Sequence, residues 1–161
     1  MKLKFKINLL LKQPNLIIHK LKESKVFPAR KLSYHSDTFT EIELENYNKL
    51  RKFRDNNSIC NTAKSNLYFD IYGNVVLCCA NRKYILGNIK NDKLDAIWNS
   101  EVRKNAIRTF ESNNLLDGCS QCYFQIKNNN SVPMSANYDL FTEKNSNYPT
   151  RMEFEISNTC N

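Results

Sequence analysis

The six cysteines of this 161-residue chain hold most of its capacity for chemistry. Cys60 is followed by twelve residues and Gly73, then by four more residues and the pair Cys78-Cys79. Cys119 and Cys122 close the set as Cys-x-x-Cys, and Cys160 is the penultimate residue. Thiolates gathered from separate parts of a fold are the ligands of a tetrahedral metal ion or of an iron–sulfur cluster. The two histidines, His19 and His35, are remote from the cysteines in sequence, so no imidazole ligand is required. On spacing alone zinc is the commoner occupant of such a set. The three glycines, Gly73, Gly87 and Gly118, are isolated and cannot build a glycine-rich phosphate loop. No residue is assigned a catalytic role, and no residue is assigned to a further cofactor.

Positioning those thiols requires strands and helices between them. Leu67, Phe69 and Ile71 alternate with Tyr68, Asp70 and Tyr72, and Val75-Val76-Leu77 returns after Gly73-Asn74. This pattern predicts a β-hairpin with its tip at Gly73-Asn74, delivering Cys78 and Cys79 at the end of its second strand. Neighbouring strand residues point to opposite faces, so one of the two cysteines faces the site of Cys60 and the other packs as a small buried hydrophobe. Two helices are expected next. Asp92 is the expected cap of the first, with Leu94, Ile97 and Trp98 on one face packed against the hairpin. Asn99 or Ser100 caps the second, with Val102, Ala106, Ile107 and Phe110 at helical spacing. Gly73 is expected to supply a turn at positive φ and Gly87 a close approach. Asn88, Tyr84 and Tyr123 are read as a turn cap and two packed rings. Leu44, Tyr47 and Leu50 predict a short helix before Cys60. Residues 2–11 alternate like a strand that Pro14 ends.

These parts together resemble the SPASM/twitch auxiliary-cluster domain of radical S-adenosylmethionine enzymes. The resemblance rests on the Cys60, Gly73 and Cys78 spacing, on Leu86-Gly87-Asn88-Ile89, on Leu94-Asp-Ala-Ile-Trp98-Asn-Ser100, and on Cys119-Ser-Gln-Cys122-Tyr123. It implies an iron–sulfur cluster in place of zinc, held by Cys60, Cys78, Cys119 and Cys122, with Cys79 as the alternative to Cys78. A full SPASM domain continues with further cysteines and holds two clusters. None occurs here between Cys122 and Cys160, so one [4Fe–4S] cluster is expected. The tail Glu153-Phe-Glu-Ile-Ser-Asn-Thr-Cys160-Asn161 resembles the strand that opens a radical SAM barrel. Cys160 then stands as the first ligand of an incomplete radical SAM cluster, whose other two cysteines would lie beyond Asn161. The order, auxiliary domain before barrel, is similar to the twitch-domain-containing subgroup.

The expected fold is therefore α+β: a small hairpin and two helices organised around a cluster. The expected organisation is a basic arm over residues 1–59, the cluster domain over 60–126, a linker over 127–150 and the first strand of a barrel over 151–161. Residues 1–31 carry nine Lys/Arg against one acid, Glu23, and the remainder is neutral, with fifteen of each sign. The arm is read as a solvated, lysine-rich leader in preference to a nucleic-acid-binding segment. Its apolar run is too short for a signal peptide, and no stretch has transmembrane length, so a cytoplasmic, reducing location is expected. There, clustered cysteines are more often metal ligands than disulfides. The reading assigns the chain an electron-relay or substrate-anchoring role beside a radical SAM barrel, with S-adenosylmethionine bound only by a complete parent and no catalysis by these residues alone. The alternative from another class is a zinc-stabilised module whose basic arm binds nucleic acid or a protein partner.

Overall fold

The computed structural model describes residues 38–51, 57–130, 133–141 and 146–157. The expected strand at 2–11, most of the basic arm, both histidines and Cys160 lie outside these residues. Three helices and a hairpin do most of the positioning. Helix α1 (Glu41–Leu50) opens with a capping box in which Thr40 and Glu43 each receive the other's main-chain N–H. Tyr47 is buried from this helix, Leu44 packs at the core edge and Leu50 stays exposed. The short helix α2 (Thr62–Ser65) follows Cys60 and leads straight into β1 (Asn66–Phe69).

Strand β2 (Asn74–Val76) pairs antiparallel with β1, Tyr68 opposite Val76 and Phe69 opposite Val75. The hairpin is the expected one, but its turn spans residues 70–73 and Asn74 already belongs to the strand. Asp70 sets this register: its Oδ1 accepts the N–H groups of Tyr72 and Asn74, both at 2.8 Å. Gly73 completes the turn at φ +85°. The two-residue strand β3 (Gly87–Asn88) joins β2, and β4 (Arg151–Phe154) lies parallel to β1, giving the order β3-β2-β1-β4. Strand β1 is thus central, and all four of its residues are buried. Phe69 stacks on Phe154 with ring centroids 4.7 Å apart. On the sheet's other side Arg82 lies over the Tyr68 ring and pairs with Glu155 at 3.0 Å. The molecule is α+β, built on a small mixed sheet with helices.

Helix α3 (Leu94–Trp98) and helix α4 (Glu101–Glu111) occur where the periodicity placed them. Ser100 caps α4 by accepting the Arg103 N–H. Asp92 does not cap α3, which begins after Lys93 without a side-chain cap. Its carboxylate instead accepts the Asn88 N–H at 2.8 Å, so it closes the preceding turn. Leu94 is exposed, and the buried face of α3 is Ile97 and Trp98. Arg103, which periodicity alone did not single out, is buried beneath them. Its guanidinium lies 3.2 Å from the centre of the Trp98 ring and donates to the carbonyls of Ala63 and Trp98, both at 2.7 Å. It thereby ties α4 to α2.

Gly87 makes the close approach expected of it. A Cβ there would stand 2.7 Å from Ile97 Cγ1 and 3.0 Å from Asp92 Oδ2. Gly87→Ala should therefore push α3 off the sheet and cost about 1–3 kcal/mol, read as a fall in the urea midpoint at unchanged slope.

Candidate metal centre

Cys60, Cys78, Cys119 and Cys122 are all buried and line one cavity. They reach it from separate segments. Cys60 precedes α2, and its carbonyl accepts the Ser58 hydroxyl at 2.9 Å. Cys78 follows β2 after Leu77, whose carbonyl is held at 2.8 Å by both Thr62 Oγ1 and Asn66 Nδ2. Those two bonds fix the second cysteine relative to the first. Cys119 and Cys122 belong to α5 (Ser120–Lys127), with Cys119 at its N-cap position and Cys122 in its first turn. A three-residue step puts both thiols on one side of the helix start, where the helix dipole favours a thiolate.

Cys79 is exposed and does not line the cavity. The alternation argument correctly sends it away from Cys78, but it faces solvent instead of packing as a buried hydrophobe. Its neighbour Arg82, whose Nε donates to the Cys79 carbonyl at 3.2 Å, is itself exposed, so no core forms on that side. Cys160 lies outside the described residues.

The rest of the cavity wall is mainly apolar, with Leu77, Phe110 and Leu115 joined by Met134 and Tyr138. The last two come from a 3-10 helix (Met134–Phe141) in the Asn-, Ser- and Pro-rich stretch after α5. Nothing in that stretch's periodicity announced them. A buried network holds this helix in place. Arg51 grips Asp139 with two bonds, Nε to Oδ2 at 2.6 Å and Nη2 to Oδ1 at 2.5 Å, and Asn61 Nδ2 adds a third at 2.8 Å. Tyr47 donates its hydroxyl to the Ile59 carbonyl at 2.9 Å and meets Ser135 Oγ at 2.7 Å, so the serine hydroxyl is the donor there.

Main-chain N–H groups face the thiols: Thr62 toward Cys60, Ala80 and Asn81 toward Cys78, Leu116 toward Cys119 and Ser135 toward Cys122. Such donors favour the thiolate, the form that binds metal. Burial opposes them and wins in the metal-free protein. It pushes the Cys78 and Cys122 thiols up to about 12 and raises Cys60 and Cys119 as well. For Cys60 the nearby Cys122, Cys78 and Cys119 add to burial. Four thiols that hinder one another's ionisation need a cationic group among them to ionise together, and that is what metal binding supplies.

The sign of the resulting pH dependence is fixed. A thiol whose folded pKa lies above its ordinary 9.0 contributes stability that is whole below about pH 9 and is lost as pH rises toward 12. Burial raises the Tyr47 and Tyr138 hydroxyls too, so they act in the same direction. Metal-free, reduced protein should therefore be less stable at pH 10.5 than at pH 8, by up to about 1.4 kcal/mol per pH unit for each thiol concerned, read as a lower urea midpoint.

Among the described residues, no three His, Cys, Asp or Glu side chains stand close enough to share a single metal ion. The four thiols instead surround a space. Residues 60–123 match the family model of SPASM, an iron–sulfur cluster-binding domain. Over these residues the chain is similar to a SPASM domain. The match begins at Cys60 and ends one residue after Cys122, so it encloses all four cavity-lining cysteines. Comparison of the chain with curated proteins and with solved structures gives no significant match. The donor set fits the group this domain type binds: four sulfur atoms, an apolar wall and N–H groups directed at the sulfurs. Among the described residues, no helix is long and apolar enough to cross a membrane.

The residue that sequence reasoning missed is Asn81. The sequence reads Asn88 as a turn cap and gives Asn81 no role. Asn88 takes the turn role: its side chain donates to Asn74 Oδ1 at 2.9 Å and accepts the Lys90 N–H at 2.9 Å. The asparagine that meets sulfur is Asn81, whose Nδ2 lies 3.2 Å from Cys119 Sγ.

Proposed function

We propose that residues 60–123 hold one [4Fe–4S] cluster through Cys60, Cys78, Cys119 and Cys122, as the auxiliary-cluster domain that precedes the barrel of a radical S-adenosylmethionine enzyme. The observation that carries this reading is the meeting of those four thiols, drawn from separate segments, around one cavity inside the stretch that is similar to a SPASM domain. A single zinc, at about 2.3 Å from each sulfur, would draw the four sulfurs to within roughly 3.8 Å of one another. A cluster lets its thiolates stand farther apart, around a space. One cluster is favoured over two because no cysteine falls between Cys122 and Cys160.

The cluster would supply one-electron chemistry when bound, relaying an electron or anchoring substrate beside the barrel. The chain's own part is to hold the thiolates, exclude water with Leu77, Phe110 and Met134, and set the hydrogen bonds around sulfur. Cys160 would be the first of the three ligands of the S-adenosylmethionine-binding cluster, and the other two are not among these 161 residues.

The test is reduction of the anaerobically reconstituted protein. Treated with dithionite, it should give the electron paramagnetic resonance signal of one reduced cluster per chain. Given S-adenosylmethionine as well, it should form no 5′-deoxyadenosine. A protein that carries zinc and gives no signal would overturn the cluster reading. Formation of 5′-deoxyadenosine would overturn the auxiliary one.

A further inference from the structure

We propose that Asn81 sets the reduction potential of the cluster, holding it up by donating hydrogen bonds to two of the four thiolates at once. This rests on the reading that Cys60, Cys78, Cys119 and Cys122 hold a cluster. Asn81 is buried in the cavity wall. Its main-chain N–H points at Cys78 Sγ at 3.4 Å, and its side-chain Nδ2 at Cys119 Sγ at 3.2 Å. Among the described residues it is the one side chain with a hydrogen bond to a cavity sulfur. It links the cysteine after the hairpin to the cysteine that starts α5.

The surroundings lock the amide in this orientation. Asn81 Oδ1 accepts the Lys83 N–H at 3.1 Å, which leaves the NH2 end for sulfur, and Nδ2 also reaches the Asp117 carbonyl at 3.2 Å. Gly118, at φ +95°, lies directly against the amide. A Cβ at that position would stand 2.7 Å from Asn81 Oδ1 and 3.0 Å from its Cγ. The glycine is therefore required twice, by its backbone angle and by the room it leaves for this side chain. A loop asparagine needed only for a turn would not be pressed against two sulfur-bearing segments.

A hydrogen bond donated to a coordinating thiolate stabilises negative charge there. The reduced cluster carries one more negative charge than the oxidised one, so the bond favours reduction and raises the potential. The event is the gain of one electron from a low-potential donor. No bond is made or broken and no proton is transferred.

The experiment is a mediator-coupled dithionite titration, followed by electron paramagnetic resonance, of the reconstituted full chain. Wild type is compared with Asn81→Leu, which keeps the side-chain volume without a donor, and with Asn81→Ala. The expected result is full iron content with a lower midpoint, the reduction equilibrium shifted by about tenfold, or about 59 mV for one electron. An unshifted midpoint in either variant that keeps its iron would overturn the proposal while leaving the cluster reading intact. Loss of iron from both variants but not from wild type would assign Asn81 to holding the fold and would also overturn it. Wild type that takes up no iron overturns the functional reading itself, and the iron count tells that case apart.

Discussion

Serine at Cys60, Cys78, Cys119 or Cys122 is expected to abolish stable iron incorporation, and serine at Cys79 to leave it intact. The four thiols share one cavity and Cys79 faces solvent. Residues that merely orient metal ligands cost about 10–100-fold in affinity when mutated, so loss of a ligand should exceed that range. A serine hydroxyl is a harder ligand that ionises far less readily, and burial here already opposes ionisation of the thiols. The readout is iron content and broad absorbance near ~400 nm after anaerobic reconstitution. Cys78→Ser against Cys79→Ser is the sharpest pair, because the two residues are adjacent in sequence. Iron lost from Cys79→Ser and kept by Cys78→Ser would reverse the assignment.

Asp139→Ala should destabilise the protein by about 3–5 kcal/mol, as removal of one partner from a buried ion pair does. It leaves the Arg51 guanidinium without either of its bonds to the carboxylate and deprives Asn61 of its acceptor. Arg51→Ala should cost a similar amount, since it takes the countercharge and two hydrogen bonds from the buried Asp139 carboxylate and the 2.7 Å bond of Nη1 from the Ser58 carbonyl. The double variant Arg51→Met with Asp139→Leu should recover much of the loss, because paired replacement by apolar groups leaves no uncompensated charge. The effect should reach the metal centre. The 3-10 helix that Asp139 anchors brings Met134 and Tyr138 to the cavity and the Ser135 N–H to Cys122. Asp139→Ala protein loaded with iron should therefore bleach in air faster than wild type. Urea midpoints of the iron-free proteins and bleaching rates of the loaded ones check the two parts separately.

The parts of this fold that were legible in the sequence are those governed by local pattern. The alternation from Leu67 and the Gly73-Asn74 pair announced the hairpin. The Ser100 cap and the Ala106 and Phe110 spacing announced α4, and the spacing of the cysteines singled out the four thiols that line one cavity. The features that stayed hidden depend on partners far away in sequence. Arg51 and Asp139 are 88 residues apart, and neither stands out until the fold joins them. Tyr138 and Met134 come from a stretch whose composition suggests a linker, and tertiary packing alone brings them to the cavity. Asn81 is a single polar residue between two predicted elements, with no periodicity to mark it. Cys79 shows the limit of the alternation rule: it gives a direction, and whether that direction is core or solvent depends on what else packs there.

The central claim is that one [4Fe–4S] cluster is held by the four cavity thiols. Its most direct test is the iron, sulfide and zinc content of the anaerobically purified and reconstituted wild-type chain. The account predicts a brown protein with about four irons and four sulfides per chain and no zinc. A colourless protein with one zinc and no sulfide would contradict it.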